Sequence, residues 1–198
     1  MNAISTKNGV YVDSLKLLQQ RVSVSKLQIP APTRAELKEV FKAAVRAADH
    51  GKLQPWRFLV IEGQGLEALS EVFVNAALKG DPNASPGFID KCRNMTKRAP
   101  MIIVGIAKCQ DESKVPRQEQ IISCGAAVQN MLNAFFALGY GAIWRTGDLA
   151  RDAYVLQKLG LNANEEIVGF VYVGTPVNEF AKPPEVVIED FFQVWPAE

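Results

Sequence analysis

Three observations predict an α+β fold in which a sheet is clasped by helices. Three apolar, β-branched runs of strand length, Arg57–Glu62 (RFLVIE), Met101–Ala107 (MIIVGIA) and Ile167–Val173 (IVGFVYV), lie far apart in the sequence. Helical patterns open the chain and fill the intervals between those runs. The 198 residues, 48% hydrophobic and 22% charged, are enough for one domain with a substantial core. Residues 1–198 are therefore expected as a single domain, with 1–12 as a loose leader, and no repeat, low-complexity tract or linker divides it.

Taken in order, Asp13–Gln20 (DSLKLLQQ) is spaced as a short amphipathic helix with Leu15, Leu18 and their neighbour Leu17 facing inward. After the IPAPT turn, Thr33 followed by Glu36 forms a capping box, and Leu37, Val40, Phe41, Ala44, Val45 and Ala48 carry a helix to about Ala48. Helices are expected at Leu66–Leu78 and Phe88–Lys97, separated by the turn-rich GDPNASPG. Gln118–Leu138 reads as a buried helix, followed by the short strand Gly141–Arg145 (GAIWR) and a helix near Asp152–Leu159. From Gln120 to Trp144 there is no charged residue, but glutamines, asparagines, Ser123 and glycines interrupt the run, so it falls short of a bilayer span. The opening MNAISTKNGVYVD has no basic stretch followed by an apolar run, so the expected location is the cytoplasm and no membrane partner is expected.

Composition excludes several kinds of chemistry. A net charge of +1 gives no polyanion-binding surface, so nucleic acid is not an expected partner. Cys92, Cys109 and Cys124 have no CxxC spacing and read as buried thiols in a reducing compartment. With His50 as its one histidine, the chain lacks an HExxH or multi-histidine metal site, and there is no GxSxG elbow for a serine nucleophile. Its chemistry is then that of a borrowed cofactor.

Four segments are candidates for binding. Gly63–Ala68 (GQGLEA) follows a strand and opens a helix as a relaxed dinucleotide fingerprint does, which keeps a Rossmann-type NAD(P) dehydrogenase as an alternative. Asp81, the acidic residue nearest the required spacing, sits in a loop, and a plain glycine turn into a helix is the competing reading. Asp49–Trp56 (DHGKLQPW) is a polar loop between a helix and a strand. Pro55 biases Gln54 toward an extended backbone that would expose its amide to the edge of a planar heterocycle, while a capping His50 and a packed Trp56 are the plainer alternative. Arg21-Val22-Ser23 offers an arginine fork and a hydroxyl that can hold one phosphate. Arg46 ends the stripe Arg34, Lys38, Lys42, Arg46, which reads as a solvated face, although a helix continued past Ala48 would bring Arg46 and His50 to one site. Finally, Gly139–Thr146 is a glycine-rich turn into a strand ending in Trp144-Arg145-Thr146, or equally a packed Trp beside a surface Arg.

Together LLQQRVSVSKLQIPAPT, RAADHGKLQPWRFLVIEG, RAPMIIVGIAKC, AVQNMLNAFFALGYGAIWRTG and EEIVGFVYVGTP resemble the nitroreductase superfamily of flavin-dependent oxidoreductases, most nearly its small YdjA-like branch. The resemblance frames most of Leu17–Pro176. It implies a central mixed β-sheet flanked by helices, in an intertwined homodimer that holds FMN at the subunit interface. It also implies that NADPH or NADH reduces the flavin and that a small-molecule acceptor, a nitroaromatic, quinone or similar electron-poor compound, then takes the hydride. Carried over residue by residue, it puts Arg21 and Ser23 on the phosphate and ribityl side, with Val22 standing where the family has a second arginine. Arg46 and His50 would contact the flavin, Gln54 would lie near its ring, and Trp144, Arg145 and Thr146 would reach it from the other side of the interface. Arg46 and Arg145 are both candidates to stabilise reduced flavin, and His50 could tune it, donate a proton or pack. Trp56 and Trp144 are suitable aromatic neighbours for an apolar ring. The charge-free helix suits a dimer core. A flavin-binding module with little turnover is the alternative from another class. Val177 onward matches the family poorly, and no cofactor contact is assigned there.

Overall fold

The protein is described by a computed structural model covering Ile4–Ser5, Tyr11–Val12 and residues 14–195. Of the opening twelve residues expected as a leader, Ile4–Ser5 (β1) and Tyr11–Val12 (β2) pair antiparallel, and the others lie outside the described residues. Helix α1 (Ser14–Gln20) buries Leu17 alone. Leu15 and Leu18, expected to face inward, are instead 62% and 57% exposed.

The main sheet is built from β3 (Leu27–Gln28), β4 (Trp56–Glu62), β5 (Met101–Lys108), β6 (Gly141–Arg145) and β7 (Glu165–Pro176). Its order is β3-β7-β5-β4, and β6 pairs with β7 on the edge that β3 also meets. Every pairing among the described residues is antiparallel, which corrects the expected mixed sheet within one chain. Strand β5 is buried on both faces because helices cover both. Met101 and Ile103 point into one core with α2 (Arg34–Ala44) and α5 (Arg117–Ala137). Ile102, Val104 and Ile106 point into the other, with α3 (Gln64–Gly80), α4 (Pro86–Met95) and α6 (Ala153–Lys158). The two-residue β3 was not expected, being too short to carry an alternating pattern.

Direct antiparallel pairing of β4 with β5 removes the Rossmann alternative, because Gly63–Ala68 does not start a right-handed crossover to a parallel strand. Gly63 has φ 53° and ψ −129°, a combination open to glycine, and its carbonyl accepts the Leu66 N–H at 3.0 Å. It is a turn into α3.

The Thr33 capping box forms as the sequence predicts, and the Tyr140 hydroxyl donates to the same Glu36 carboxylate. The helix it starts ends at Ala44, four residues before the expected Ala48. Asp49 is extended (φ −142°, ψ 100°) and uses its carboxylate on the following loop, an alternative to helix hydrogen bonding that short acidic side chains favour. Arg46 and His50 therefore do not share a continued helix.

Candidate functional site

Segment 21–24 and the start of β6 are brought together by the backbone. The Val24 N–H donates to the Ala142 carbonyl at 3.0 Å, which lays the chain after Arg21-Val22-Ser23 against the strand carrying Trp144 and Arg145. Arg21 and Val22 are half-buried and Ser23 is exposed.

Trp144 sits on an irregularity of β7. Pairing with β5 steps from Gly105↔Gly169 to Ile106↔Ile167, so Val168 is an extra residue, a bulge. The indole lies over Gly169, where a Cβ would come within 1.9 Å of Nε1, and its N–H donates to the Val168 carbonyl at 3.0 Å. Its far edge reaches Gly125 of α5, where a Cβ would stand 3.5 Å away. Trp144 and Thr146 line a cavity of about 520 Å³ with Ile121, Ile122 and Val168. Thr146 also borders a second cavity of about 560 Å³, between α3, α4 and the turn after β6. Between them in sequence, Arg145 has a buried Nε–H with no hydrogen-bond partner among the described residues.

A second group lies at the head of α5. His50 Nδ1 is 2.7 Å from Glu119 Oε2 in the first turn of that helix, so the imidazole, expected on the flavin, is engaged by a carboxylate here. Gln54 has φ 49°, in the left-handed region, which corrects the extended backbone expected before Pro55. Two hydrogen bonds to Asp49 outweigh the preference that proline imposes. Arg46 is exposed beyond α2, and its side chain makes no hydrogen bond or ion pair with another described residue.

The three thiols are buried as expected. Burial pushes Cys124 up to about 12 and raises Cys92 and Cys109, which leaves them protonated and unreactive. Among the described residues no cluster of His, Cys, Asp or Glu could hold a metal ion, and no helix is long and apolar enough to cross a membrane. Asp49 lies in the candidate loop, but its role, and those of Glu119, Val168 and Gly169, are not legible in the sequence. Each acts through its partner in the fold or through an unusual backbone angle or register.

A model of the nitroreductase family matches residues 18–175. The chain thus belongs to the nitroreductase family and is an oxidoreductase by class. Over 165 residues, 83% of this chain and 89% of the relative, it is 45% identical to the Escherichia coli K12 protein described as "Putative NAD(P)H nitroreductase YdjA". A Haemophilus influenzae protein described as an NAD(P)H nitroreductase of the same standing is 32% identical over 177 residues, 89% of this chain and 95% of its own. Among solved structures, a nitroreductase-like family protein from Bacillus cereus superposes with a TM-score of 0.80 at 20% identity, covering 95% of this chain and 98% of that one. A protein from Desulfovibrio desulfuricans described as a "putative nitroreductase in complex with fmn" gives 0.72 at 21% identity, covering 93% and 98%. The α+β nitroreductase-like fold expected from the sequence is the fold observed.

Proposed function

We propose that the protein is an FMN-dependent NAD(P)H oxidoreductase that acts as a homodimer on small electron-poor acceptors. The observation that carries this reading is the buried, unpartnered Nε–H of Arg145 near the end of β6, a strand whose Trp144 borders a cavity of about 520 Å³. A buried donor without a protein acceptor has capacity for a water or ligand acceptor, and flavin carbonyls or a phosphate would supply one. Bound FMN would supply a two-electron carrier, taking hydride from NADPH or NADH and passing it in a second half-reaction to a nitroaromatic, quinone or similar compound.

The chain's own residues do the rest. Arg21 and Ser23 would hold the phosphate, with Val22 between them contributing no charge. Arg145 would fix a flavin acceptor atom, and Trp144 and Thr146 would bound the pocket. Gln54 would read the ring edge. His50, paired with Glu119, would hold the loop that carries Gln54 against α5, and Arg46 would approach the flavin from beyond α2.

The homodimer is supported by the outer side of α5. Ile122, Ala126, Gln129, Asn133 and Phe136 follow one another at alternating spacings of about four and three, as a packing seam does, and all are uncharged and at least partly exposed. Exposed Leu15 and Leu18 of α1, and Val186, Val187, Ile188, Phe191, Phe192, Val194 and Trp195 near the C-terminus, extend the apolar surface.

The test is FMN titration of Arg145→Met against the unaltered protein, followed by NAD(P)H oxidation with menadione or a nitrofuran. Weaker FMN binding in the variant and turnover in the parent are expected. FMN uptake without turnover would instead favour the flavin-binding module.

A further inference from the structure

We propose that Asp49 is a positioning residue of the candidate flavin site: its carboxylate fixes the Leu53–Gln54 backbone so that the Gln54 amide is presented free at the head of α5. This rests on the FMN reading above and deepens it.

Both Asp49 oxygens are used on one short loop. Oδ1 accepts the Leu53 N–H at 3.1 Å and Oδ2 accepts the Gln54 N–H at 2.8 Å. The backbone they hold is unusual. Gly51, Lys52 and Gln54 have φ values of 76°, 55° and 49°, and two of the three are not glycine. A left-handed conformation is unfavourable for a residue with a Cβ, and a proline following Gln54 narrows its options further. Such a conformation persists only where surrounding groups over-determine it, and strain of this kind concentrates at functional sites.

Several other backbone groups of the tip are also engaged. The Leu53 carbonyl accepts from Gln110 Nε2 at 3.0 Å. Gln110 is in turn held by buried Gln120, whose Oε1 accepts the Gln110 N–H at 2.8 Å and whose Nε2 donates to the Gln110 and Val115 carbonyls. The Gln54 carbonyl accepts from Trp56 N–H at 2.8 Å, and the Pro55 carbonyl accepts from Lys108 N–H at 3.1 Å. Against this fixed frame, the Gln54 side chain is exposed and makes no hydrogen bond to a described residue. A strained backbone braced at Leu53, Gln54 and Pro55 that carries a free amide at its tip is suited to recognising a ligand.

Hydrogen exchange of the Leu53 and Gln54 amides in the FMN-free protein, combined with FMN titration by flavin fluorescence, tests the proposal. Asp49→Ala should release both amides to exchange and weaken FMN binding by roughly tenfold, the scale of a lost hydrogen bond to a charged acceptor. Asp49→Asn, which keeps one carbonyl acceptor, should fall between. In a Gln54→Ala background the Asp49→Ala change should alter FMN affinity less than about twofold, because the effect runs through Gln54. The visible band of bound flavin should also move in Asp49→Ala and return toward the parent position in Asp49→Asn. Lost amide protection with unchanged FMN affinity, or an equal loss of affinity with and without Gln54, would overturn the proposal alone. Failure of the unaltered protein to take up FMN would overturn the FMN reading and this proposal with it.

Discussion

At the start of β7, Glu165 has a side chain only 1% exposed and is met by Arg57 of the edge strand β4 in a two-pronged pair, Nε to Oε1 at 2.7 Å and Nη2 to Oε2 at 2.8 Å. That hydrogen bonding, aided by the Asn162 backbone N–H, holds the carboxyl at about 2 against an ordinary 4.5 although burial opposes it. Its contribution to stability is present above pH 4.5 and is lost as pH falls toward 2. The melting temperature should therefore fall more steeply across that window in the parent than in Glu165→Gln, as read by circular dichroism. Arg57→Ala at neutral pH, which strands a buried charge, should cost about 3 kcal/mol in urea denaturation. At the cofactor end, Val22→Arg should tighten FMN binding by about tenfold, the scale of one added charge-assisted contact; unchanged affinity would mean that position 22 does not face the phosphate. Residues such as Arg21, Arg145 and Gln54 could be singled out in the sequence because their chemistry is in the side chain. Glu165 and Asp49 could not, because their partners and the backbone angles they enforce come from the fold.

The bulge in β7 is where an element departs most from its sequence pattern. IVGFVYV reads as an unbroken strand, yet Val168 is stepped out of register, and the glycines at 105 and 169 face each other beside it. A Cβ at Gly105 would lie 2.8 Å from Val128 of α5, and one at Gly169 would strike the Trp144 indole. Gly169→Ala should therefore destabilise the protein by about 1–3 kcal/mol and quench or shift Trp144 fluorescence as the indole is displaced. Trp144→Phe, which leaves the Val168 carbonyl without its donor, should cost about 1 kcal/mol. Strands β4, β5 and β7 and helices α3 and α5 were legible to within a few residues, since their periodicity or apolar run is local. The bulge was not, because register belongs to a pair of strands, and the end of α2 was not, because Asp49 chooses loop donors that only the left-handed turn provides.

At the scale of the whole molecule, the sequence carried the α+β class and, through its motifs, the family; it did not carry the wholly antiparallel order within the chain. Apart from Arg46, the predicted site residues lie in two groups, one beside β6 and one at the head of α5, and exposed large apolar side chains occur on α1, at Ile122 of α5 and along the segment near the C-terminus. A dimer would cover those surfaces and supply each site with residues from both chains. Ile122→Glu, a charge placed at a 61% exposed position of that seam, should shift sedimentation from dimer to monomer. The central claim, FMN-dependent NAD(P)H oxidation, is tested most directly by the visible absorbance spectrum of the purified protein with FMN, before and after anaerobic NADPH or NADH. The expected result is a bound-flavin spectrum that bleaches with at least one nucleotide. A protein that remains colourless after FMN is added, or a bound flavin that neither nucleotide bleaches, would contradict it.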